Sequence, residues 1–60
     1  MENKIIEIFN NMKIKHYDDS EVLTNMRFLL ANHKLTTDEY NYWFNNKLKF
    51  KQKWIENNNH

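Results

Sequence analysis

Glycine and proline are both absent from this chain of 60 residues, and that absence constrains the fold more than any other feature. Gly and Pro are the residues that most often form turns and interrupt helices. A chain that lacks both, and in which apolar residues recur at helical spacing, is predicted to be all-α. Cysteine is also absent, so neither a disulfide nor a thiolate metal site can support a core of this small size.

Two segments carry the sequence signature of a helix start. In the first, Asp18 is at the N-cap position and Glu21 is three residues later, which is the capping-box spacing. In the second, Thr36 and Glu39 have the same relation. Each segment also has an apolar residue before the cap that can pack on one in the first turn, the pairs being Tyr17 with Val22 and Leu35 with Tyr40.

These starts divide the chain into three predicted helices, at about 2–15, 19–33 and 37–57, in a single domain 1–60. The tail, 57–60, is rich in asparagine and is expected to fray. The predicted fold is therefore a small all-α domain of three helices with a long C-terminal helix and no sheet. The first two helices each present an apolar face, made by Ile5, Ile8, Phe9 and Met12 and by Val22, Leu23, Met26, Leu29 and Leu30.

The third predicted helix interleaves aromatic residues with lysines. Its apolar side chains fall on an arc of roughly 160°, with Lys47 and Lys51 near the centre. Three interpretations are open: a core face with lysines that reach out to solvent, an interface with another chain, or a nucleic-acid surface. At roughly 31 Å this helix is longer than its neighbours, so 50–55 is expected to project beyond them.

We therefore expect a non-enzymatic protein-binding regulator or inhibitor that occludes its partner. The third helix would insert an aromatic set flanked by lysines into an acidic-rimmed apolar groove of that partner. A homodimer is also expected, because the apolar side chains exceed what one small core can bury. The candidate interface residues are Phe28, Tyr42, Lys47, Phe50, Lys51, Trp54 and Ile55.

The alternative is a DNA-binding regulator resembling a helix-turn-helix, with the outer face of the third helix as the reader. Asn and Gln can pair with adenine edges, and Lys can contact guanine or phosphate. The net charge of only +1, from nine basic and eight acidic residues, makes nucleic acid the less favoured partner. The candidate residues are Asn41, Asn45, Lys49, Gln52 and Lys53.

We find no catalytic, cofactor or metal signature in the sequence. The three histidines, His16, His33 and His60, are not at a metal-ligand spacing, and a phosphate-binding loop would need glycine. No stretch approaches the ~20 apolar residues of a membrane span, so a cytoplasmic location is expected. A bacterial or mobile-element setting is also expected, from the prevalence of compact regulators there rather than from any residue.

Overall fold

The computed structural model describes residues 1–58, and over that range the chain forms four helices and no strand. These are α1 (Glu2–Asn11), α2 (Asp19–Ala31), α3 (Thr37–Asn45) and α4 (Lys47–Asn58). The prediction of an all-α chain is confirmed. The prediction of three helices with one long C-terminal helix is wrong, because 37–57 is divided into α3 and α4.

The helix ends also differ from the predicted ones. α1 stops at Asn11 instead of 15, and α2 stops at Ala31 instead of 33. The last two residues of α1, Asn10 and Asn11, are asparagines, which have a low helix propensity. At the C-terminus, Asn57 and Asn58 continue α4, and the remainder of the predicted frayed tail, 59–60, lies outside the described residues.

Both predicted N-caps are confirmed. The Asp18 carboxylate accepts hydrogen bonds from the backbone N–H groups of Ser20 and Glu21, at 2.9 and 3.4 Å. At the start of α3 the capping box is complete in both directions. The Thr36 hydroxyl accepts from the Glu39 N–H at 3.1 Å, and the Glu39 carboxylate accepts from the Thr36 N–H at 2.8 Å. Each bond satisfies a backbone donor that the helix leaves without a partner.

α2 ends in a Schellman motif that is built without glycine. His33 takes the left-handed position, with φ of 60°. Its N–H donates to the Leu30 carbonyl at 3.2 Å, and the next N–H, of Lys34, donates to the Leu29 carbonyl at 2.9 Å. These are the two bonds that define the motif, which glycine usually completes because it has no β-carbon. The chain therefore accepts some backbone strain at His33.

The break between α3 and α4 is made by Asn46. In an uninterrupted helix its N–H would donate to the Tyr42 carbonyl, four residues back. Instead, that N–H donates to the Trp43 carbonyl at 3.0 Å, and the side-chain amide of Asn46 donates to the Tyr42 carbonyl at 2.8 Å. The side chain thus replaces the backbone donor, which is the competition with helix geometry that asparagine commonly offers.

The bend at Asn46 turns α4 back onto α1. The Phe50 ring lies 5.9 Å from the Phe9 ring, and the Trp54 ring lies 5.9 Å from the Tyr17 ring. The expectation that 50–55 projects past the other helices is therefore wrong for its two large aromatic residues. α4 also packs against α3, and α2 packs against α3.

A single cluster of buried side chains joins all four helices and the segment before α3. Burying several large apolar side chains together is the main favourable contribution that a chain of this size has. The members of this core cluster are Ile5, Phe9, Val22, Met26, Leu35, Trp43, Phe50 and Trp54.

Candidate protein-binding surface

The seven predicted interface residues do not form one surface. Phe50 and Trp54 are buried in the core cluster, and Tyr42 is half-buried with its ring against Phe50. Lys51 is half-buried as well. Phe28, Lys47 and Ile55 are exposed, on α2 and at the two ends of α4. The aromatic side chains expected to anchor a partner are thus largely used inside the molecule.

Three of the four lysines among the aromatic residues, Lys47, Lys49 and Lys51, lie over ring faces. The Lys47 ammonium is 4.2 Å from the centre of the Phe44 ring, and that of Lys51 is 5.4 Å from the Tyr17 ring. A cation in this position is attracted by the negative face of the ring, by about 0.5–1 kcal/mol at exposed sites. The pattern of alternating lysines and aromatics is therefore explained largely by contacts within the chain.

The residues of the alternative nucleic-acid face are divided by the break in the helix. Asn41 and Asn45 belong to α3, whereas Lys49, Gln52 and Lys53 belong to α4. Lys49 is also engaged, because its ammonium is 2.6 Å from a carboxylate oxygen of Glu2 on α1. That hydrogen bond and the opposite charge raise the pKa of Lys49 and lower the pKa of Glu2. These five side chains do not line one helix face as a single reading helix requires.

An apolar groove lies between the end of α1 and the second half of α2. It has a volume of about 300 Å³ and is lined by Ile8, Asn11, Met12, Lys13, Asn25, Phe28 and Leu29. Ile8, Met12 and Leu29 are half-buried, so the core continues outward into the groove. Phe28 is 67% exposed, the highest value among the large apolar side chains of the described residues. Exposing an aromatic side chain beside a concave apolar surface is typical of a binding site.

Of the residues that line this groove, only Phe28 is among the interface residues that the sequence predicts. Phe28 is off the apolar face of the second predicted helix, which marks it as surplus to the core. Ile8, Met12 and Leu29 are on the apolar faces of the first two predicted helices, which predicts that they belong to the core. They are accessible because α1 ends at Asn11, which leaves the C-terminal part of α2 uncovered on that side. The groove therefore depends on the early end of α1, which the sequence pattern does not indicate.

A smaller cavity, of about 120 Å³, lies near the start of α2 and is lined by Tyr17, Asp19, Ser20, Leu23, Trp43 and Lys47. Burial, together with the negative charge of Asp19 and its hydrogen bond, raises the pKa of Tyr17 to about 12. The indole N–H of Trp43 is buried and has no hydrogen-bond partner among the described residues. Its nitrogen is covered, so the indole does not offer a donor to a ligand in this cavity.

Three comparisons with known proteins found no relative: no family model, no curated protein and no solved structure matches the chain. Within residues 1–58, no three His, Asp or Glu side chains are grouped so that they could hold a metal ion. None of the four helices described here is long and apolar enough to cross a bilayer. The groove between α1 and α2 combines a concave apolar lining with the exposed ring of Phe28.

Proposed function

We propose that this chain is a small non-enzymatic protein-binding regulator that occludes a segment of its partner in the groove between α1 and α2. The observation that carries the proposal is the exposure of Phe28 beside a groove floored by half-buried apolar side chains. Leaving a phenylalanine in water gives up roughly 1.5–3 kcal/mol that burial would contribute. A bound partner would recover that free energy.

The ligand we propose is a short amphipathic helix of the partner. A groove between two helices suits a helix that inserts apolar side chains at i, i+3 or i+4. A volume of about 300 Å³ is at the lower end of ligand sites, and so suits a few side chains rather than a larger body. Met12 supports adaptable packing, because an unbranched thioether side chain fits irregular apolar shapes.

Charge at the groove selects among such helices. Lys13 is the charged residue of the lining, and the two asparagines, Asn11 and Asn25, are its polar neighbours. The Asn25 amide is already used, because it donates to the Glu21 carbonyl at 2.8 Å. We therefore expect the ligand to carry an acidic residue opposite Lys13, beside its apolar anchor. Such a charge at the rim would speed association more than it would slow dissociation.

The proposed class of function is the one expected from the sequence, but the proposed binding surface is the groove and not the lysine-rich helix. An insertion mechanism through the lysine-rich helix would need Phe50 and Trp54 outside the core, but both are buried. Of the predicted interface residues on α4, only Lys47 and Ile55 are exposed. The groove instead receives a partner segment. Occlusion remains the mode of regulation, since a captured helix cannot engage its usual target.

Selection from a displayed library of amphipathic helical peptides tests the proposal. Peptides enriched on the wild-type chain should carry an aromatic or leucine anchor next to an acidic residue. Their affinity, measured by fluorescence anisotropy, should fall by about 30-fold or more in Phe28→Ser, the loss expected for an anchor residue. Methyl signals of Ile8 and Met12 should shift on binding.

Phe44→Ser is the matched control, because Phe44 is also exposed, at 46%, but is outside the groove. It should leave peptide affinity within about twofold, as surface changes away from a site usually do. Lys13→Glu should shift the selected peptides from acidic to basic. Equal losses in the two phenylalanine variants, or no enrichment at all, would contradict the proposal. Sub-micromolar duplex DNA binding with a steep salt dependence would favour the nucleic-acid alternative instead.

A further inference from the structure

The connection between α3 and α4 is a single residue, Asn46, inside a stretch whose sequence predicts one continuous helix. We propose that α4 can swing out at Asn46 and pack on α1 of a second copy of the chain, giving a dimer with exchanged α4 helices. This inference does not depend on the proposed peptide groove. It concerns a different surface and a different partner.

The backbone change that this exchange needs is small. Asn46 has φ of −124° and ψ of 26°, whereas a helical residue has about −63° and −42°. Moving one residue into the helical region would fuse α3 and α4 into one helix. The Tyr42 carbonyl would then exchange the Asn46 side-chain donor, now at 2.8 Å, for the Asn46 backbone N–H. No hydrogen bond to that carbonyl is lost.

When α4 swings out, it leaves the surface of α1 on which it packs in the bent chain. A second copy that has also straightened presents the same α1 surface. In the bent chain, α4 is held on α1 through the Phe9–Phe50 ring contact and the Glu2–Lys49 ion pair, and Trp54 contacts the Tyr17 ring. A straightened chain exposes Phe50 and Trp54 and vacates the matching surface on its own α1. Two straightened chains can restore every one of these contacts reciprocally, which is the definition of exchange between identical chains.

Single-cysteine chains give a direct test, because the chain contains no cysteine of its own. An isotope-labelled Glu2→Cys chain is mixed with an unlabelled Lys49→Cys chain, unfolded, refolded together at high concentration and treated with a short bis-maleimide, which can span the distance that the two side chains of the ion pair now bridge. A labelled–unlabelled cross-link forms efficiently only if α4 of one copy is on α1 of another. Gln52→Cys replaces Lys49→Cys as the control, since residue 52 is exposed and well away from the face that carries Phe50.

Asn46→Ala should increase the dimer association constant by on the order of tenfold or more, since each chain loses the amide bond of the bent form and gains helix propensity. Asn45→Ala has the same gain in propensity without touching that bond, and should leave the constant within about twofold. Sedimentation equilibrium measures both, and circular dichroism checks that each variant is folded. Mixed cross-links no more abundant than in the Gln52→Cys control overturn the proposal, and so does an association constant that Asn46→Ala leaves unchanged.

Discussion

The rings of Tyr42 and Phe50 lie 5.9 Å apart at an interplanar angle of 68°, although eight residues separate them along the chain. In an uninterrupted helix eight residues advance about 12 Å along the axis. The edge-to-face contact therefore exists because the helix axis changes direction at Asn46. Because of this bend, the lysine-rich segment packs into the core instead of extending beyond the other helices.

The first prediction compares two positions of α4 that differ in burial. Phe50 is 1% exposed and Leu48 is 66% exposed. Phe50→Ala should lower the free energy of unfolding by about 3–5 kcal/mol, because it leaves a cavity among buried rings. Leu48→Ala should change it by no more than about 0.5 kcal/mol. Urea denaturation of both variants measures the difference, and equally small effects would mean that α4 does not pack on α1 as described.

The second prediction concerns the two helix caps. Asp18→Ala and Thr36→Ala should each lower the free energy of unfolding by about 1 kcal/mol, the usual cost of removing an N-cap side chain. The caps serve different helices and share no bond, so the losses should add in the double variant to within about 0.5 kcal/mol. Denaturant midpoints of the two single variants and the double variant test this. An unchanged midpoint in either single variant would place that helix start elsewhere.

The starts of α2 and α3 could be predicted because a cap is a local device. Asp18 and Thr36 bond to backbone groups two or three residues away, so the spacing alone identifies them. The break at Asn46 is equally local, since its partner is the Tyr42 carbonyl. Its signal was the pair Asn45–Asn46 and the placing of lysines in the middle of the apolar arc. The same residues also fit one continuous helix with lysines on its apolar face, which is the wrong prediction.

The groove could not be predicted, because it depends on where α1 ends. The apolar periodicity of α1 continues past Asn11 to Met12, yet the helix stops and Met12 takes an extended conformation, with ψ of 127°. Ile14 and Tyr17 then pack against the core from an irregular segment. Tertiary packing decides between these arrangements, since the local sequence is compatible with both. The sequence identifies Phe28 as surplus to the core, but it does not identify the other residues that line the groove.

The third prediction uses the strained end of α2. His33→Gly should raise the free energy of unfolding by about 0.5–1 kcal/mol, since glycine adopts positive φ without the β-carbon clash that a histidine has there. The gain is partial because glycine also increases the entropy of the unfolded chain. His33→Ala is the control: it removes the imidazole but keeps the β-carbon, and should bring no gain. Thermal melts of the two variants separate the backbone effect from any effect of the ring.

The last prediction is a pH dependence that comes from Glu39. Its carboxylate accepts from the Lys4 ammonium at 2.8 Å and from the Thr36 N–H at 2.8 Å. These bonds, with that to Lys4 the largest cause, lower the pKa of Glu39 from its ordinary 4.5 to about 2. A carboxyl whose pKa is lowered by folding contributes stability that is fully present above the unfolded value and is lost as the pH falls through the folded value. Glu39 should therefore stabilise the chain above a pH of about 4.5 and no longer do so near pH 2.

Glu39→Gln isolates this contribution, because the amide keeps an oxygen that can still accept from the Thr36 N–H but has no charge to offer Lys4. Wild-type and Glu39→Gln chains should have the same urea midpoint near pH 2 and should diverge as the pH rises to about 4.5, with the wild type the more stable. Asp38→Asn removes a neighbouring charge in the same first turn without removing either hydrogen bond, and serves as the control for a change of net charge. A gap between wild type and Glu39→Gln that stays constant from pH 2 to 7 would mean that the carboxylate is not bonded to Lys4 and Thr36 in solution.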